Sequence, residues 1–185
     1  MSHWMMTAAF LSVLLLAVPV RGAEPNYHFS HDETRYRFEG SFQIQARADC
    51  LLKILFEFEH LKNYVAHTES ATLDEAGENW QKVTYQYRNL FYKARSTFRR
   101  TLNPTKNRVE YELTRLDEGG IIRPEIRSIS GYYGVSDEGM VRRVTFFQEG
   151  ELAGGMLSGI YFNSAKKVAV GFLREIARYA ESHCP

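Results

Sequence analysis

The pattern of apolar and polar positions changes period twice along the chain and divides it into three kinds of structure. Tyr36, Phe38, Phe42 and Ile44 alternate with polar residues, the period of a half-buried strand, and Gly40 among them marks a bulge or a close approach. At Asp49 the step becomes three and four. Leu51, Leu52, Leu55, Phe58 and Leu61 share one face with Asp49 placed to cap it, which predicts one or two short helices over 49–65. From 68 to 148 the pattern predicts strands near 69–74, 79–89, 92–102, 108–116, 127–135 and 140–148, separated by turn residues, as in an antiparallel meander. One parity of these strands is apolar or aromatic: Val83, Tyr85 and Tyr87, then Ala94, Ser96 and Phe98, then Val109, Tyr111 and Leu113. Ile129, Tyr133 and Val135, followed by Val144 and Phe146, continue that inward face. After Gly154 and Gly155, a stripe of Ala165, Val168, Ala169, Phe172, Ile176 and Tyr179, with Lys166, Lys167, Arg174, Glu175 and Arg178 away from it, predicts one long amphipathic helix.

The N-terminal residues stand outside this scheme. Residues 7–18 are a nearly unbroken apolar run, followed by Pro19 and by small residues around Gly22, which is the outline of a signal peptide. Cleavage is expected after Gly22 or Ala23, and the protein is expected to be periplasmic or secreted. The alternative, an uncleaved anchor, needs ~20 apolar residues to cross a hydrocarbon core, more than this run supplies. With no Cys just after the cleavage point and no second apolar span, a soluble mature chain is expected. Removing 23 of the 185 residues leaves 162, enough for one domain with its own core. The assignment is 1–23 signal peptide, 24–34 polar leader and 35–183 folded domain.

A net charge of +1 excludes nucleic acid as the main partner, because phosphate recognition calls for a basic excess. The charge is uneven, however. Lys82, Arg88, Lys93, Arg95, Arg99, Arg100, Lys106 and Arg108 face the single acid Glu110 between positions 81 and 110. A solvated outer sheet face accounts for this, and attraction to an anionic membrane surface is the alternative.

Two stretches resemble a known superfamily. Ile44-Gln45-Ala46-Arg47-Ala48 running into Leu55-Phe56-Glu57-Phe58-Glu59-His60-Leu61 looks like the strand-to-helix entry and the helix junction of START-like (SRPBCC) proteins. Ser130-Gly131-Tyr132-Tyr133-Gly134-Val135 looks like their Gly-x-aromatic strand. That superfamily includes polyketide cyclases and coenzyme Q-binding proteins, and the resemblance spans nearly all of 35–181. It implies an α+β helix-grip fold: a curved antiparallel sheet of about seven strands, with two short helices after the first strand, wrapped around a long C-terminal helix. It also implies a hydrophobic ligand held between sheet and helix.

For such a ligand the inward parity offers Val83, Tyr85, Tyr87, Ser96, Phe98, Tyr111, Tyr133 and Phe146, with Phe172 from the helix. The aromatic rings give apolar faces tipped with hydroxyls. The same rings could instead pack against Phe172 and Ile176 and leave no void. In a meander successive connections alternate between the two ends of the sheet. One end receives the polar stretches 75–78, 103–107 and 136–139. The other receives Leu90, Phe91, Ile121, Ile122 and Met156, an expected entrance or membrane-touching surface unless these tips simply cap the core.

Reactive constellations are sparse. The six His are scattered and only Cys50 and Cys184 could add thiolates, so no metal is expected. Nor does any phosphate-cradling loop, nucleophile elbow or cofactor motif occur. Arg100, Tyr85 and Tyr133 are the catalytic candidates, since cyclases that the chain resembles use pocket Tyr, Arg or His as acids and bases. The resemblance also implies that the short helices support the end of the long helix. Together with an oxidising compartment and only two thiols, that suggests a Cys50–Cys184 disulfide; a buried Cys50 beside a frayed, free Cys184 stays open. The reading is a monomeric, exported binding or transfer protein for a lipid, quinone or aromatic metabolite, with possible peripheral membrane contact. The alternatives are a cyclase-, dehydratase- or hydrolase-like enzyme on such a ligand, or an interaction module without a cavity.

Overall fold

The structure, a computed structural model, describes residues 25–65, 68–88, 92–120, 125–153 and 158–184. The expected signal peptide and the expected entrance residues Leu90, Phe91, Ile121, Ile122 and Met156 lie outside them. In chain order the elements are β1 (Asn26–His31), β2 (Arg35–Ile44), α1 (Ala48–Phe56), α2 (Phe58–Tyr64), β3 (Thr68–Ala76), β4 (Trp80–Arg88), β5 (Tyr92–Asn103), β6 (Arg108–Gly120), β7 (Ile126–Glu138), β8 (Val141–Leu152) and α3 (Ser158–His183). The strands form one antiparallel sheet in the order β1-β2-β8-β7-β6-β5-β4-β3. The predicted meander is therefore β3 to β8, and β8 closes back beside β2.

The sheet has eight strands rather than seven. The added strand is β1, from the stretch read as a leader outside the domain. Its residues are mostly exposed and show no alternation, because an edge strand meets the core only through partial contacts, those of Phe29, of Tyr27 with Phe38 and of His31 with Phe162. Backbone pairing from Asn26 opposite Ser41 to His31 opposite Tyr36 is what places it. In β2 the alternation is complete: Tyr36, Phe38, Gly40, Phe42 and Ile44 face inward and their neighbours outward. Gly40 lets α3 approach closely, since a Cβ there would stand 2.6 Å from Leu173 Cδ2.

Because β2 and β3 lie far apart in the sheet, α1 and α2 must cross one end of it between them. Asp49 does not cap α1. The cap position is Arg47, without a side-chain bond to the helix, and Asp49 sits in the first turn, paired with the Arg47 guanidinium at 2.6 Å. At the joint, Glu57 is extended and α2 restarts at a new angle, which leaves the last carbonyls of α1 without helical partners. Buried side chains satisfy them. Tyr64 donates to Ile54 O at 2.8 Å, Arg100 donates to Phe56 O at 2.8 Å and to Leu55 O, and Gln81 Nε2 also reaches Phe56 O. The positive guanidinium also faces the negative end of the α1 dipole.

α3 buries Phe162, Ala169, Leu173, Ile176 and Ala180 and packs on β1, β2 and α2. This face is rotated from the predicted stripe. Val168 is 61% exposed, while Ala165, Phe172 and Tyr179 flank the contact rather than centre it. The rotation follows from where the helix is held. The Tyr179 hydroxyl lies 2.8 Å from His60 Nδ1 and accepts from Asn63 Nδ2 at 3.1 Å, which fixes α3 to α2. Cys184, just past α3, is disulfide-bonded to Cys50 of α1 across 134 residues of sequence, with Cα atoms 5.8 Å apart.

Two stability changes are expected from this end of the molecule. Replacing both Cys50 and Cys184 with Ser removes a long-loop crosslink and lowers stability by on the order of 4 kcal/mol in urea unfolding; an unchanged midpoint would show that the crosslink does not constrain the chain. Arg100→Leu strips partners from two buried carbonyls and costs roughly 2–5 kcal/mol. A loss below about 1 kcal/mol would mean that water or Gln81 replaces the guanidinium.

Candidate functional site

The sheet is wider than the helix that lies on it, and the gap is a cavity of about 810 Å³. Strands β4 to β8 form one wall and the flank of α3 that carries Ile160, Ser164, Val168 and Phe172 forms the other. Tyr85, Tyr87, Ser96, Phe98, Tyr111, Tyr133, Phe146 and Phe172 all line it, as do Leu113 and Ile129. Val83 does not. It is fully buried in the core, in the row of β4 nearer α1 and α2. The rotation that exposes Val168 is what turns it into the lining.

Register places the lining in rows. Arg100 pairs with Gln81 and Tyr111, Phe98 with Val83 and Leu113, and Ser96 with Tyr85 and Leu116. A bulge between Thr97 and Phe98 shifts the β6 partner by one residue and keeps Leu113 and Leu116 facing inward although their separation is odd. The cavity thus runs from Arg100, beneath the α1–α2 joint, toward Leu116, Ile126, Leu152 and Ile160 at the opposite end of the sheet. That is the end at which β4 stops and β5 starts, and at which β6 stops and β7 starts.

The aromatic walls touch one another in a chain. The Tyr111 and Tyr133 ring centroids are 5.0 Å apart, Tyr133 and Phe146 are 5.3 Å apart, and Phe146 is 5.3 Å from Phe172. Such contacts fix ring orientation, so the wall is formed before any ligand arrives. Gly131 contributes by what it lacks. A Cβ there would fall 2.5 Å from the Tyr111 hydroxyl, which instead reaches Phe147 O at 3.2 Å and Gln148 Oε1 at 3.1 Å. Gln148 in turn donates to the Tyr36 hydroxyl at 2.8 Å. Neither Tyr36 nor Gln148 was singled out from the sequence as part of the site. The inward parity of β8, continued two residues past Phe146, is the signal that would have found Gln148.

The polar groups in the cavity are neutral apart from a few. Burial pushes the Tyr36 phenol up to about 12, and it raises Tyr64, Tyr85, Tyr87, Tyr111 and Tyr133 above the ordinary tyrosine value as well. The nearby charge of Arg100 works against that rise at Tyr64, Tyr85, Tyr111 and Tyr133 without overcoming it. At physiological pH these phenols are therefore neutral hydrogen-bonding groups, not bases. Ser96 is buried and its Oγ has no hydrogen-bond partner. An unmet buried hydroxyl costs about 1–3 kcal/mol, which a ligand polar atom at that place would recover.

Of the three catalytic candidates, Tyr85, Tyr133 and Arg100 all line the cavity, but Arg100 is 2% exposed and holds the carbonyls of α1. Among the described residues no group of His, Cys, Asp or Glu could hold a metal ion, and no helix is long and apolar enough to cross a membrane. A second hollow, of about 520 Å³ beside β1 and β2, is polar, and Glu151 there pairs with both Arg35 and Arg127.

No protein-family model and no curated protein matches the chain by sequence. Solved structures do match in shape. An aromatase/cyclase from Streptomyces sp. R1128 superposes with a TM-score of 0.64 at 17% identity, covering 80% of this chain and 94% of that one. A STAR-related lipid transfer protein from Xanthomonas axonopodis gives 0.61 at 12% identity, covering 83% and 97%. Major latex-like protein 151 from Panax ginseng gives 0.60 at 15% identity, covering 82% and 99%. Identity this low leaves only the backbone arrangement in common, and that arrangement, shared over some four fifths of the chain, is the START-like helix-grip fold.

Proposed function

We propose that the protein is an exported binding or transfer protein that carries a hydrophobic ligand between its sheet and α3. The observation that carries this reading is the cavity itself. At about 810 Å³ it falls within the range of sites that enclose small organic ligands, and its walls are mostly apolar and aromatic with a few polar groups set among them. A filled core, the alternative open at the level of sequence, would leave no such volume. Each 100 Å² of apolar ligand surface removed from water contributes about 2.5 kcal/mol, and a wall held by ring-on-ring contacts loses little order on binding. The names of the structural neighbours, a lipid transfer protein and an aromatase/cyclase among them, support a ligand of this kind.

Export is supported by the signal-peptide outline of residues 1–23 and by the Cys50–Cys184 disulfide, which suits an oxidising compartment. Entry past Leu90, Phe91, Ile121, Ile122 and Met156 agrees with the direction in which the cavity runs, and a membrane is the natural place to meet its ligand there. An enzyme acting on such a ligand is the second reading, favoured by the presence of Tyr85, Tyr133 and Arg100 on the cavity wall. Its phenols are neutral and its guanidinium is engaged structurally, which supports holding more than proton transfer.

The test is occupancy. Native mass spectrometry and solvent extraction of the mature protein are expected to reveal a bound hydrophobe, or uptake of one from extracted envelope lipids or quinones with a rise in melting temperature. Ser96→Trp places an indole in the middle of the cavity and is expected to abolish uptake while the domain stays folded. Wild-type protein that is empty and takes up nothing would end the carrier reading. Turnover of a bound lipid that Tyr133→Phe abolishes, with binding retained, would move the protein to the enzyme reading.

A further inference from the structure

Arg100 stands at the covered end of the cavity, and among the described residues its charge has no counter-ion. Its two hydrogen-bonded partners, Phe56 O and Leu55 O, are neutral carbonyls, and no described carboxylate forms an ion pair with it. A guanidinium carries five N–H donors in a planar fork, so the two carbonyls leave donors over. Two other charged residues line the cavity, both on α3. Of these Glu175 is held by Arg178 at 2.7 Å on the same helix, and Lys167 is exposed on the open flank. The groups that sense Arg100 from the surrounding elements are phenols: Tyr64 of α2, Tyr85 of β4, Tyr111 of β6 and Tyr133 of β7. Burial keeps all four protonated. A buried cation thus borders a largely apolar enclosure, and among the described residues no carboxylate pairs with it.

Building on the carrier reading, we propose that the ligand is an acidic amphiphile: a carboxylate on a long or flat apolar body, inserted head first with the carboxylate at Arg100. The body then runs along Phe98, Leu113, Ile129 and Phe146 toward Ile126 and Leu152. Coulomb attraction is strongest where the dielectric is low, and the desolvation of Arg100 has already been met by folding. The Tyr85 and Tyr133 hydroxyls stand ready to donate to the same head group, as neutral phenols do to a carboxylate. An ester, alcohol or sterol of the same bulk gains the apolar wall alone.

The test compares laurate, methyl laurate and dodecanol on delipidated full-length mature protein, with pyrenebutyrate and its methyl ester as the flat-bodied pair. Dissociation constants are read by displacement of a neutral fluorescent probe. The acids are expected to bind at least about tenfold tighter than their neutral partners, the scale of one charge-assisted bond. Arg100→Gln is expected to abolish the preference, bringing acid and ester of each pair to equal affinity whatever its effect on both, while Lys167→Gln leaves the preference intact. Equal binding of acid and neutral partners overturns the head-group assignment but not the carrier reading; binding of none of the five overturns both. A preference that vanishes in Lys167→Gln and survives in Arg100→Gln puts the head at the open flank and overturns the proposal. Should Arg100→Gln fail to fold, the wild-type ratio of acid to ester together with Lys167→Gln decides the matter.

Discussion

Strands in a sheet lie about 4.8 Å apart, so eight of them span roughly 34 Å even before curvature, whereas a helix with its side chains is roughly 10 Å across. One helix cannot cover such a sheet. Here α3 is drawn to one side of it, onto β1 and β2, by the close approach of Leu173 to Gly40 and by the bonds of Tyr179 to α2. Everything distinctive about the interior follows from that seating. Most inward residues of β4 to β7, which a second helix would cover in a two-layer sandwich, are left facing the flank of α3 across open space, with Tyr133 against Phe172 as a contact between them. Aromatic side chains, the bulkiest available, narrow that space without closing it.

A sheet curved around a void has two ends to manage, and the chain treats them differently. At one end the α1–α2 crossover lies over the strands, and its break at Glu57 exposes carbonyls that only buried donors can meet. Arg100, Gln81 and Tyr64 supply them, and the disulfide ties the same region to the end of α3. Among the described residues the sheet's other end carries no helix pair, and the lining there is Leu116, Ile126, Leu152 and Ile160. The polarity of the cavity, with a cation at one end and apolar residues at the other, is therefore a consequence of how the crossover is held. Binding character and structural support share one residue, Arg100, so its substitution acts on stability and on the cavity together.

What the sequence determined by itself was the facing of residues. Period-two alternation placed Tyr85, Tyr87, Ser96, Phe98, Tyr111, Tyr133 and Phe146 on the inner side of the sheet, and every one of them lines the cavity; period-three-and-four steps marked the helices. Local pattern records such facing because a side chain's direction is a property of its own strand or helix. The pattern could not tell that β1 pairs with the sheet, since an edge strand joined by backbone bonds needs no apolar alternation. Nor could it tell that Val83 stops short of the cavity, that Val168 borders it, or that Arg100 holds the end of α1 while also bordering the cavity. Each of these depends on where elements far apart in sequence come to rest, and on the few contacts, Gly40 with Leu173 and Tyr179 with His60 and Asn63, that fix the helix to one side of the sheet. Whether two inward faces meet or leave a space between them is decided by that long-range seating, which no local periodicity encodes.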